Sequence, residues 1–259
     1  MSRVVAAIDN SAAARPVLAA AATIARLLRA DLEAVHVREN GDVAARAAAT
    51  AAGIPLEELL VGELPGSKIR ALLEAAEPTD VEAMVVGARA TRIGALPTGH
   101  VALELIVSLR KPLMVVPPHA VVAEPFKRIL VPLDGTPATA AALARTIELA
   151  HESEVDVIAL HVHTEHTLPL FSDQPHHELE IWRREFLARN CPGADNVRLE
   201  VRVGIPGEHV LRAAAENEAN LIALGWAQNL EEGRATVVRE ALERSDVPIL
   251  LLPVSGATR

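Results

Sequence analysis

The sequence contains no tyrosine, and aromatic residues make up only 2% of its 259 residues. A core must therefore be packed from Ala, Val, Leu and Ile, and there are no aromatic platforms for stacking single-stranded nucleic acid. One cysteine, Cys191, excludes an intrachain disulfide and fits a reducing compartment. No stretch free of Asp, Glu, Lys and Arg is longer than that from Pro112 to Ala123, well short of the roughly 20 apolar residues of a transmembrane helix. The opening MSRVVAAIDN lacks the basic n-region, apolar run and cleavage site of a signal peptide. The expected protein is soluble and cytoplasmic, with no membrane partner. Basic charge is also scarce. The 25 Lys and Arg, of which only Lys68, Lys111 and Lys127 are lysines, face 34 Asp and Glu, giving a net charge of −9. Residues 1–124 hold 12 basic and 14 acidic residues and the remainder 13 and 20, so neither half has the basic excess that phosphate-backbone binding uses. Nucleic acid is thus not an expected partner. There is no Walker loop, no GxGxxG after the first strand and no GxSxG elbow.

What the sequence does have is 50% hydrophobic and 23% charged residues, a globular composition. At about 100–200 residues per domain, its length allows one large domain or two small ones. An internal repeat decides for two. Residues 3–37 align without a gap on residues 128–162, with Asp9 on Asp134, Ser11 on Thr136 and His36-Val37 on His161-Val162. Further blocks follow in the same order: Val61-Gly62 with Pro65-Gly66 on Val203-Gly204 with Pro206-Gly207, AMVVG (83–87) on LIALG (221–225), and PLMVVP (112–117) on PILLLP (248–253). The expected domains are residues 1–118 and 127–255, joined by a proline-punctuated linker, 119–126.

Within each half, short apolar runs such as VVAAI and ILVPL predict strands covered on both faces, as in a parallel sheet. Ala/Leu-rich and amphipathic stretches between them predict helices to about Arg29 and Ala150, with Pro16 and Pro137 in first turns, where a missing N–H is harmless. Last helices are expected at about 100–110 and 235–244. The β-α-β alternation predicts an α/β fold with an open, mainly parallel sheet and helices on both faces. Ligands in such sheets bind beyond the carboxyl ends of the strands, where strand order reverses. Asp9 and Asp134 would lie there, each also able to cap the following helix through its side chain.

The D-[GN]-[ST] turn after the first strand, the HV ending of the second, the VG…PG block and the closing apolar-Pro strand all occur twice and in order. In this set both halves resemble universal stress protein domains in tandem, over nearly the whole chain. The resemblance implies a Rossmann-like nucleotide-binding fold with strand order 3-2-1-4-5. It also implies pairing of the two halves through their fifth strands about a pseudo-two-fold axis, with homodimerisation of the chain as a further option.

Nucleotide-binding members of that family hold phosphates on a loop G-x-x-G-x9-G-[ST] after strand four, and line adenine and ribose with the first-strand Asp region and the end of strand two. Carried over, this implies contacts from Ala7, Ile8, Asp9, Asn10, Ser11 and Val37 in the first half, and from Asp134, Gly135 and Thr136 in the second. Both phosphate loops depart from the pattern. In the first, Gly87 is present, Ala90 takes the second glycine position, Gly99 follows one residue early and His100 stands for Ser or Thr. Arg89, Arg92, Gly99, His100 and the amide of Val101 remain as anion ligands. In the second, Gly225 is present, Trp226 follows it, Gln228 replaces the second glycine and Ala235-Thr236 take the Gly-Ser position. That loop is about two residues short and carries Glu231-Glu232, each repelling a phosphate by about 1 kcal/mol in water. The first half is therefore the expected site for ATP or AMP.

Six of the ten histidines lie between His151 and His177. His163, His166, Asp173, His176 and His177 have the residue types of a zinc site, but three or four would have to converge; a solvated, pH-sensitive loop is the simpler expectation. In the same segment Trp182 and Phe186, spaced i and i+4, predict a buried helix stripe, with a lid or partner surface as the alternative. Cys191 sits in an N-C-P-G turn with no base or cation beside it in sequence, so no catalytic role is expected of it. The expected function is a stress-response or regulatory module that binds an adenine nucleotide in its first domain. A nucleotide-free scaffold is the alternative. A slow ATP hydrolase ranks last, because no general base can be named.

Overall fold

Each repeat begins with an apolar run that forms a strand and an alanine-rich stretch that forms a helix over it. The computed structural model describes residues 2–9, 14–37, 60–88, 99–163, 175–193, 197–230 and 235–254. Two units emerge: Met1–Phe126 with Leu242–Leu251, and Lys127–Ala241 with Leu252–Arg259.

In the first unit β1 (Arg3–Ile8) lies between β2 (Asp31–Val37) and β4 (Val81–Gly87), parallel to both. The sheet continues through β3 (Leu60–Leu64) beside β2 and β5 (Leu113–Val116) beside β4, also parallel. Its order is β3-β2-β1-β4-β5. β10 (Ile249–Pro253) runs antiparallel to β5, Leu250 opposite Met114, and covers what would otherwise be an open strand edge. All four residues of β5 are buried, as a strand covered on both faces requires.

Helix α1 (Ala14–Leu28) turns Val17, Leu18, Ala21, Ile24 and Ala25 inward at helical spacing, and Pro16 falls in its first turn. α2 (Lys68–Ala76) and α3 (His100–Ser108) complete the described helices of this unit. The β1–α1–β2 and β3–α2–β4 crossovers run in opposite directions along the sheet. Right-handed crossovers therefore place α1 and α2 on opposite faces.

The second unit repeats the plan. β6 (Arg128–Pro132) is parallel to β7 (Asp156–His163) on one side and β9 (Leu221–Trp226) on the other, with β8 (Arg198–Val203) beyond β7. Its described helices are α4 (Pro137–Glu152), α5 (Pro175–Asn190), α6 (Pro206–Glu216) and the greater part of α7 (Thr236–Arg244), whose residues from Leu242 on are counted with the first unit. Equivalent arginines open the two first strands. Arg3 bonds Glu33 and holds Asp80 at 3.0 Å, while Arg128 lies 3.7 Å from Asp156 and 3.9 Å from Glu218. These pairs sit at the amino ends of the strands, away from the edge where the repeat's turns gather.

Candidate functional site

In the second unit the turn after β6 is built from its own side chains. Asp134 Oδ1 accepts hydrogen bonds from the Thr136 amide at 2.9 Å and the Thr136 hydroxyl at 2.8 Å, and Oδ2 accepts from the Thr139 hydroxyl at 3.1 Å. Thr136 is the N-cap of α4, its hydroxyl accepting from the Thr139 amide at 3.3 Å, and Pro137 is the first helical residue. The cap is thus Thr136 and not Asp134. The carboxylate stands two residues too early to reach an N2 or N3 amide, and it holds the capping threonine instead. Gly135 takes a φ of 83°, which the short turn demands and a side chain would resist.

The neighbouring strand ends close on this turn. His161 is buried in β7 with Nδ1 2.7 Å from the Leu133 carbonyl oxygen. A Cβ built on Gly135 would stand 3.4 Å from Phe186 and 3.8 Å from His161. One built on Gly225, at the end of β9, would stand 3.1 Å from the Thr139 methyl and 3.4 Å from Val254. Asp134, Gly135 and Gly225 are therefore brought together at one edge. Thr236 is the first residue of α7 and is exposed. The two positions where the glycine pattern is broken, Gln228 and Ala235, have φ of 55° and 48°. Their backbone remains left-handed, at about 1–2 kcal/mol per L-residue.

Helix α5 supplies the aromatics. Phe186 is buried as its spacing predicts and Trp182 is half-buried; their rings lie 5.0 Å apart. His163 belongs to neither a loop nor a solvated segment. It is the last residue of β7, paired in register with Val203, and is 4% exposed. The strand runs one residue past the repeated His-Val because β8 continues to pair with it. Of the other residues weighed for zinc, His166 and Asp173 lie outside the described residues, as do the side chains of His176 and His177. Among the described residues no group of three His, Cys, Asp or Glu is placed to hold a metal, and no helix is long and apolar enough to cross a membrane. Burial raises the Cys191 thiol from 9.0 to about 11, the opposite of activation.

In the first unit the register pairs Ile8 with His36 and Ala7 with Val86, so Ala7, Ile8, Asp9, Val37 and Gly87 share the carboxyl edge of β1, β2 and β4. Strand order reverses there, between β1 and β4. His36 repeats the His161 bond, with Nδ1 3.0 Å from the Ile8 carbonyl oxygen. Gly99 is buried and is the N-cap of α3, and with no side chain it leaves the amides of the first turn without a side-chain cap. His100 is exposed and Val101 half-buried at the start of that helix. Such amides suit a phosphate. Asn10, Ser11, Arg89 and Arg92 lie outside the described residues.

Sequence reasoning missed Thr139, whose hydroxyl and methyl touch both Asp134 and the Gly225 position. The T-x-x-T spacing of a helix cap was the available signal. It also missed how closely Phe186 approaches Gly135, which only the tertiary fold reveals.

The same architecture occurs in solved structures. A universal stress protein from Archaeoglobus fulgidus is 14% identical, with a TM-score of 0.68, over 97% of this chain and 98% of that one. A functionally unknown protein from Pseudomonas aeruginosa is 13% identical, with a TM-score of 0.67, over 98% of this chain and 93% of that one. At these identities the likeness is one of fold. The curated proteins give no match. Residues 125–253 match the model of the universal stress protein family. This part of the chain, with its braced Asp-Gly-Thr turn and parallel β6, β7, β8 and β9, is a universal stress protein domain.

Proposed function

We propose that the chain is a tandem pair of universal stress protein domains, residues 1–118 and 127–255 linked by 119–126, acting as a cytoplasmic stress-response or regulatory module. Its first domain binds an adenine nucleotide, ATP or AMP. The observation that carries this is Gly99, a buried cap with no side chain to occupy the amides of α3. It follows the loop that opens at Gly87, and that loop supplies Arg89 and Arg92 in sequence. The Asp9 and Val37 strand ends lie at the same edge of the sheet and would meet the nucleoside. A bound nucleotide supplies a phosphate to those amides. The protein's part is to orient and hold it.

Mass spectrometry of small molecules released from the purified protein tests the reading. Co-purified ATP or AMP is expected, and Gly87→Val should weaken binding in calorimetry by crowding the loop. Protein that carries neither nucleotide and gives no isotherm with either would leave a nucleotide-free scaffold as the function.

A further inference from the structure

We propose that the second domain excludes a nucleoside because its own side chains fill the crevice at the carboxyl ends of β6, β7 and β9. The ligand class rests on the nucleotide reading above; the packing does not.

On the β7 side the crevice is filled by rings. Phe186 approaches to 3.4 Å from where a Cβ on Gly135 would stand. The His161 ring lies 4.7 Å from Phe186, 5.5 Å from Trp182 and 4.5 Å from His163, centroid to centroid. His163 is in turn 5.1 Å from Trp182. His161, His163 and Phe186 are all buried. On the β9 side Thr139 stands against Gly225, 3.1 Å from its would-be Cβ. Both carboxylate oxygens of Asp134 already accept hydrogen bonds from Thr136 and Thr139. A nucleobase entering here would have to displace packed rings and compete for a carboxylate that is already engaged, and groups left desolvated without new partners oppose binding.

The first half does not have the means to do the same. No Phe, Trp or Tyr precedes Phe126, and residues 38–59, the counterpart of the segment that bears Trp182 and Phe186, contain no aromatic and no histidine. One nucleotide per chain is the expected stoichiometry.

Adenosine is the probe, because it brings no phosphate to Glu231 and Glu232. Calorimetry is run on Gly87→Val, on Gly87→Val with Trp182→Ala, and on Gly87→Val with Trp182→Phe. The alanine variant should bind adenosine at least about tenfold more tightly than the other two. An alanine variant with native far-UV circular dichroism and no gain in affinity overturns the proposal. If that variant does not fold, Trp226→Phe decides, since it leaves Trp182 as the only tryptophan. Its emission should be unmoved by adenosine, whereas quenching would mean that a base stacks on the ring, and would overturn the proposal. Wild-type protein without a nucleotide, combined with a gain in the alanine variant, would sink the first-domain reading and keep this one; the converse would sink this one alone.

Discussion

The Nδ1 of His161 lies 2.7 Å from the carbonyl oxygen of Leu133, the residue that follows β6. A carbonyl only accepts, so Nδ1 carries the proton and the tautomer is set by the backbone. The Leu133 amide donates to the Leu160 carbonyl at 2.8 Å, after which the strands part and this carbonyl would be left over. The imidazole takes the place of the missing strand neighbour. His161→Phe should destabilise the protein by about 1–3 kcal/mol, because the ring still packs but the carbonyl loses its donor. His161→Asn should recover part of that loss. Urea unfolding of the two variants makes the comparison, and equal stability of His161→Phe and wild type would refute the bond's role.

Thr136 caps α4 while Asp134 holds the cap in place. Thr136→Ala is expected to lower stability by about 1 kcal/mol, and Thr136→Ser to leave it nearly unchanged. Asp134→Ala should cost a comparable amount in wild type and somewhat less in a Thr136→Ala background, since of the three hydrogen bonds the carboxylate accepts only the one from the Thr136 hydroxyl is already gone there. A double-mutant cycle read by thermal unfolding checks this.

Gly225 and Thr139 touch across the β9–α4 contact. A methyl added at Gly225 meets the Thr139 methyl at 3.1 Å, so Gly225→Ala should cost about 1–3 kcal/mol through overpacking. Thr139→Ser removes that methyl and keeps the hydroxyl that bonds Asp134. The double variant should therefore be more stable than Gly225→Ala alone, a sign that an indirect effect would not produce.

Ala235 gives a prediction of the opposite sign. Its φ of 48° is strained for alanine and free for glycine, so Ala235→Gly should stabilise by about 1 kcal/mol or be neutral, where glycine in an ordinary helix would destabilise. Chemical denaturation with Ala241→Gly in α7 as the contrasting control measures the difference.

Cys191 is 5% exposed, and burial alone raises its thiol to about 11. Alkylation of the native protein near neutral pH should be slow and should become fast on unfolding. The sign of the linkage follows. The folded state holds the proton more tightly, so the thiol's contribution to stability is complete below pH 9.0 and is lost as pH climbs toward about 11. Cys191→Ala should flatten that part of the stability–pH curve.

The repeat made most of this legible in advance. Aligning His36-Val37 on His161-Val162 already paired the two imidazoles that bond Ile8 and Leu133, and the apolar runs marked strands buried on both faces. Gly99 and Pro137 stood where a cap and a first helical residue belong. What could not be read depended on neighbours distant in sequence. β7 reaches His163 because β8 pairs that far, and Thr139 matters because β9 brings Gly225 against it. Local residue pattern contains neither fact. The placement of β10 beside β5 is likewise a matter of which strand edge is left open, not of the PILLLP segment itself.

Both tryptophans, the half-buried Trp182 and the buried Trp226, belong to the unit Lys127–Ala241, and the other unit has only the weakly emitting Phe126. Intrinsic fluorescence therefore watches one unit melt while backbone dichroism watches both. Comparing the two transitions on the unaltered chain separates a single cooperative collapse from two successive ones, with no label attached.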